Sequence, residues 1–125
     1  MKIESETLLD GFRMATKCEW CGRRISVAEP HHVFTKGMGG GGRLDIPCNL
    51  VALGGAFECS CHRSHHDGHA PLTCDLLALV AARLGTLQKD IEAEIHRARR
   101  LPKGSIYTCP WTGFTWQAPL KKRRA

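Results

Sequence analysis

The chain has 125 residues, a formal charge of +6 at pH 7, seven cysteines and seven histidines. That length suits one domain with a modest core, and three Trp, one Tyr and four Phe are few enough that the core needs a staple. No apolar run approaches the ~20 residues of a membrane span, and the mixed, charged MKIESETLLDGFRM start does not read as a signal peptide. An intracellular, cytoplasmic chain with no membrane partner is expected. There an odd cysteine count points to zinc rather than to a disulfide framework.

In chain order, residues 1–16 predict a short helix with Leu8, Leu9 and Phe12 on one side. Cys18-Glu19-Trp20-Cys21-Gly22 reads as a metal knuckle, two thiolates two residues apart followed by a Gly that permits a tight turn. Arg23 to Val27 is expected as a strand. Pro30 then restricts the backbone, and His32-Val33-Phe34 is expected as the second strand of a hairpin-like unit. Gly37 to Gly42, interrupted only by Met38, has the propensity of a loop. It lacks the Lys-Ser/Thr pair of a P-loop, so triphosphate binding is not expected; close approach to a nucleic-acid backbone stays open.

Val51-Ala52-Leu53 reads as an apolar turn, and Gly54 and Gly55 interrupt it before the Cys59-Ser60-Cys61-His62 segment. Asp75 to Arg100 predicts one long helix. Leu76, Val80, Leu84, Leu87, Ile91 and Ile95 form its apolar stripe, Thr73 or Asp75 caps it, and Pro102 follows its end. Gly85 weakens the middle by up to ~1 kcal/mol relative to Ala. Tyr107 to Leu120, with Cys109, Trp111, Phe114 and Trp116, predicts a short hairpin packed on the body. The expected fold is α+β: a single domain over residues 1–125, its core at 18–68, a long C-terminal helix at 75–100 and a basic tail at 117–125.

Six of the seven histidines lie between positions 31 and 69. His62 and His66 are spaced i, i+4, so on a helix both rings leave one face and suit a single divalent ion. His31, delivered from a strand, completes a three-histidine set with coordination positions left for water and a phosphate oxygen. His32 points the other way if extended and is the spare imidazole, a candidate general base. Asn49 is expected to bond His32 and fix the tautomer that leaves one ring nitrogen free. Such a set suits metal-dependent phosphodiester hydrolysis. A base that must be neutral predicts activity declining in mildly acidic buffer.

Cys18 and Cys21 supply half of a structural zinc site, and Cys59 and Cys61 the other half, with Cys48 competing with Cys59. Cys74 and Cys109 read as buried apolar thiols. His65 and His69 read as solvated, with His65 able to replace His66 if the helix phase differs. The positive charge favours a polyanion. Arg97, Arg99, Arg100 and Lys103 cluster after the helix, and Lys121, Lys122, Arg123 and Arg124 form a tail; both groups are candidate phosphate contacts whose contribution fades with salt.

Together these residues resemble the HNH endonucleases, in particular the zinc-stapled type. The likeness spans roughly Cys18 to Gly68 and runs through His31-His32, Asn49, and His62 with His66. It implies a ββα-metal (His-Me finger) core of a β-hairpin followed by a helix around one ion. It also implies DNA as substrate, His32 as general base, Asn49 as its support, and His31, His62 and His66 as ligands of a catalytic Mg²⁺, Mn²⁺, Ni²⁺ or Zn²⁺. The GMGG segment is similar to a phage-associated branch of that family, which would make the chain phage-encoded in a host cell. A homodimer or a phage DNA-processing partner is open. The competing reading is a noncatalytic zinc-containing module that binds DNA within a larger assembly; it leaves the four histidines without a task.

Overall fold

A computed structural model describes residues 1–35 and 42–119. Over these residues the chain is a small α+β protein with two two-stranded antiparallel sheets and four α-helices. Helix α1 (Glu6–Arg13) starts where Ser5 Oγ accepts from the Leu8 N–H at 3.2 Å, the usual cap for an orphan first-turn donor. It lays Leu9 and Phe12 on the core.

Strands β1 (Ala28–His32) and β2 (Leu50–Gly54) pair antiparallel, with His31 opposite Val51 and His32 opposite Leu50. Val51-Ala52-Leu53, expected as a turn, is therefore the centre of β2. All five β2 residues are buried, and a continuous apolar run of that length is what a strand covered on both faces requires. Arg23 to Val27 makes one bridge, Lys17 to Arg24, instead of a strand. The histidine pair closes the first strand of the hairpin rather than opening the second. A 3₁₀ turn (Pro47–Asn49) leads into β2, and helix α2 (Cys61–His66) follows it.

The long helix expected at 75–100 is two helices, α3 (Thr73–Leu84) and α4 (Gln88–Arg100). Gly85 sits at φ 71°, the left-handed position that ends a helix, and Thr86 N–H reaches back to the Ala81 carbonyl at 2.9 Å. Asp90 then accepts from Thr86 Oγ1 at 2.8 Å and restarts the next helix. The periodicity survives the break because the two helices pack on each other, burying Leu76, Val80, Ile91 and Ile95. Leu87, at the corner, is exposed instead. Each fully buried aliphatic side chain contributes about 1.5–3 kcal/mol. Strands β3 (Tyr107–Thr108) and β4 (Thr115–Trp116) form the expected terminal hairpin. Tyr107 is fully buried, with its hydroxyl donating to Glu94 at 2.8 Å.

Two further contacts position the site. Ile3 pairs with Leu44 in a parallel bridge, so the N-terminal segment carries the 43–45 stretch alongside it. Glu19 exchanges hydrogen bonds with Ala52, its N–H to the carbonyl and its carboxylate from the N–H, both at 2.9 Å, which seats the knuckle on the free edge of β2. Arg83 clamps the same Glu19 carboxylate at 2.7 and 2.9 Å and donates to the Pro47 and Leu50 carbonyls. No helix among the described residues is long and apolar enough to cross a membrane.

Candidate metal centres and the histidine between them and the groove

Two groups of ligand atoms converge. The sulfurs of Cys18, Cys21, Cys59 and Cys61 lie within 4.8 Å of one another and could hold a metal ion such as zinc. The knuckle folds as its spacing requires: Gly22 adopts φ 75°, its N–H bonds the Cys18 carbonyl at 2.9 Å, and Cys18 N–H bonds Arg23. Cys61 opens α2, and Cys59 comes from the turn after β2. A Cβ at Gly54 would collide with Cys59 Sγ, so this position must be Gly for the thiol to reach its partners. Burial opposes ionisation of Cys59, yet the Cys61 N–H and the neighbouring thiols bring its pKa down to about 7, while burial pushes the Cys61 thiol up. Four converging sulfurs, one of them with its pKa drawn down toward neutrality, are a donor set that suits a bound cation.

Cys48 does not join this group. It is fully buried at the 3₁₀ turn, and burial followed by the nearby Cys109 and Glu94 pushes its thiol far up, as for an apolar core residue. Cys109 is buried as expected, whereas Cys74 is exposed because the first turn of α3 presents it to solvent.

The second group is His31, His62 and His66, whose ligand nitrogens also lie within 4.8 Å of one another. His62 Nε2 is 3.1 Å from His31 Nδ1 and 3.0 Å from His66 Nε2. Two nitrogens bound at 2.0–2.1 Å to one ion stand about 2.9–3.4 Å apart, so the donor set fits a single divalent cation. His31 is buried, and its Nε2 has no hydrogen-bond partner among the described residues. Burial, then the neighbouring His65, His62 and His66, lowers the His31 pKa to about 3; burial and the same neighbours lower His66. Both rings are held neutral, the form that ligates metal.

His62 Nδ1–H donates to Glu29 Oε2, which turns Nε2 and its lone pair toward the other two rings. Glu29 stands two residues before His31, on the same face of β1, and the period-two spacing of a strand is the signal that would have singled it out. Gly55 leaves room for it, since a Cβ there would overlap the Glu29 carboxylate. His65 is not solvated: it packs edge-on against His31 with ring centres 4.5 Å apart and donates from Nδ1 to the Pro71 carbonyl at 2.7 Å. His69 is exposed.

His32 leaves the other face of β1, and its Nε2 lies 2.6 Å from Asp45 Oδ1. Asp45 is fully buried. Burial favours its neutral form, but bonds from His32, Arg43 and the Ser5 N–H outweigh that and lower its pKa. The carboxylate is thus ionised and the proton in the contact belongs to His32 Nε2, so in the neutral ring Nδ1 is the acceptor. His32 lines an open groove of about 590 Å³ with Lys2, Glu4, Thr35, Gly42 and Arg43.

Asn49 does not make the bond expected of it. Its Oδ1 accepts from Phe34 N–H at 2.9 Å, and its Nδ2 donates to the Phe34 and Leu44 carbonyls at 3.2 and 2.9 Å. The buried amide satisfies backbone groups on both sides of the Gly-rich segment and so shapes the site from below.

Two of the basic residues assigned to phosphate are engaged within the fold. Arg97 is held by Glu94 through two contacts of 2.7 Å and stacks on Tyr107. Arg99 donates to the Phe34, Thr35 and Gly42 carbonyls at 3.1–3.2 Å, tying the two ends of the Gly-rich segment to α4. Arg100 and Lys103 are exposed. Lys121, Lys122, Arg123 and Arg124, and Gly37 to Gly41, lie outside the described residues.

Comparison of the chain with protein-family models, with curated proteins and with solved structures found no match in any of the three.

Proposed function

We propose that the chain is a metal-dependent endonuclease of the HNH type that hydrolyses DNA phosphodiester bonds. The observation that carries this reading is the division of labour along β1: His31 faces the rings of His62 and His66, while its neighbour His32 faces the groove with its tautomer set by Asp45. Hairpin β1–β2 followed by α2 also has the element order of the ββα-metal core implied by the resemblance.

When bound at the three imidazoles, a divalent ion would supply Lewis-acid stabilisation of the charge that develops on the phosphate and the leaving oxygen. The chain's own residues do the rest. His31, His62 and His66 would hold that ion: burial lowers the pKa of His31 and His66, and the Glu29 carboxylate turns His62 Nε2 toward them. His32 Nδ1 accepts a proton from water as the water oxygen attacks phosphorus and the 3′ oxygen departs. Asp45 holds the ring and favours the imidazolium that results, as a buried carboxylate behind a histidine does. Cys18, Cys21, Cys59 and Cys61 would hold a structural zinc that clamps the knuckle to the start of α2. Arg97 and Arg99 are occupied internally, which removes two candidate phosphate contacts from either reading; the noncatalytic DNA-binding module still leaves the four histidines without a task. One site per chain cuts one strand at a time, so paired double-strand cutting calls for a second copy.

The test is relaxation of supercoiled plasmid with Mg²⁺, Mn²⁺ or Ni²⁺ against chelator. Metal-dependent nicking that disappears in His32→Ala supports the reading. A retained gel shift with no loss of supercoiling under any ion overturns it.

A further inference from the structure

The His32 groove does not end at the candidate active site. A second groove of about 620 Å³ is lined by Met1, Lys2, Glu4, Lys103, Trp116 and Pro119, and the two share Lys2 and Glu4 as a common wall. One path therefore runs from His32 and Arg43, past Lys2, to an indole with a lysine beside it. Trp116 is half-buried: it packs against the core on one side, its Nε1–H donates to the Glu4 carbonyl at 3.0 Å, which fixes the ring, and the part left uncovered lines the groove. Lys2 pairs with Glu4 at 3.0 Å, but both side chains are about half exposed; such a pair is weak and exchanges readily for a phosphate partner. Lys103 is exposed and has no resolved ion pair among the described residues.

We infer that this second groove is a nucleotide subsite: an unpaired nucleotide next to the scissile phosphodiester places its base on Trp116 and its phosphates against Lys2 and Lys103. The inference rests on the nuclease reading and deepens it, because a base can reach the indole only if it is out of a duplex stack. Substrates are then single-stranded, gapped or frayed DNA in preference to continuous duplex. An aromatic platform beside cations is the combination that binds single strands without reading sequence.

The test uses the full chain, the Trp116→Leu and Trp116→Phe variants, and the Lys2→Gln/Lys103→Gln double variant. Two substrates are compared: a single-stranded oligonucleotide, and bis(p-nitrophenyl) phosphate, which is too small to span both grooves. The expected result is a KM for the oligonucleotide raised about 5- to 150-fold in Trp116→Leu, and restored by Trp116→Phe. The ratio of oligonucleotide to small-diester rates falls accordingly. The double lysine variant flattens the slope of log affinity against log salt by about 1.4 on single strands. Equal losses on both substrates, or none on either, overturn the subsite and leave the nuclease reading standing. No hydrolysis of either substrate by a parent chain that nicks supercoiled plasmid overturns the subsite alone, and failure on all three substrates overturns both.

Discussion

Asp45 Oδ1 lies 2.6 Å from His32 Nε2, and the same buried carboxylate receives the Ser5 N–H and the Arg43 guanidinium. A positioned, charged acceptor behind the ring makes one nitrogen of His32 a donor and leaves the other free for the base role proposed above. Asp45→Asn keeps the shape but lets the amide turn either its oxygen or its NH₂ toward the ring. Plasmid nicking is expected to drop about 10- to 100-fold, in line with other groups that orient a site histidine or ligand. On the proposed reading His32→Ala removes the general base, and a cost on the order of 10²–10⁴ in rate is expected. Both variants should retain the parent far-UV circular dichroism and bound zinc. An Asp45→Asn variant with parental rates would remove Asp45 from the site.

Gly54 and Gly55 separate the two candidate metal centres experimentally. The obstacle to a Cβ at Gly54 is Cys59 Sγ, and at Gly55 it is the far end of the flexible Glu29 side chain. Gly54→Ala should therefore lower zinc content and thermal stability together, since a structural zinc supplies much of a small domain's folding free energy. Gly55→Ala is accommodated by swinging Glu29 away from His62. Zinc content and melting temperature should hold while affinity for the second divalent ion falls about 10- to 100-fold. Metal analysis beside calorimetric titration reads both. Identical effects of the two substitutions would contradict the assignment.

Protonation of His31 gives a stability dependence with a definite sign. In the fold its pKa is about 3, whereas in the unfolded chain it is about 6.5. Above that range neither state carries the proton, and the fold has its full stability. Between the two values the unfolded chain binds the proton and the fold excludes it, so stability is lost as pH falls from about 6.5 toward 3. Asp45, with its lowered pKa, adds to the loss below the ordinary carboxylate range. Urea titrations without added divalent ion should show this slope in the parent and a shallower one in His31→Gln. Superimposable profiles would mean that burial does not hold the ring neutral.

Arg97 and Arg99 should behave as structural residues. Arg97→Gln leaves Glu94, only 6% exposed, without its cation; Arg99→Gln frees the Phe34, Thr35 and Gly42 carbonyls. Each is expected to lower stability by about 1–3 kcal/mol. Neither should change the salt dependence of DNA binding, where loss of a direct phosphate contact would lower the slope by about 0.9 on duplex. A reduced slope with unchanged stability would restore them to the DNA interface.

Local spacing carries the parts of this protein that depend on neighbours in the chain. Two cysteines two residues apart around a Gly-assisted turn make a knuckle, and histidines four apart on a helix share a face; neither depends on the rest of the fold. The apolar stripe of residues 76–95 is equally local, although its period alone does not reveal the stop and restart that Gly85 and Asp90 impose. What the tertiary structure decided is who stands behind each functional ring. Asp45 reaches His32 because the N-terminal strand segment at Ile3 pairs with Leu44, and Asn49 is drawn instead to backbone groups left open beside the Gly-rich segment. Arg97 and Arg99 were legible as charges, but whether a cation faces water or an internal partner is set by packing, since a buried carboxylate or carbonyl claims the nearest donor.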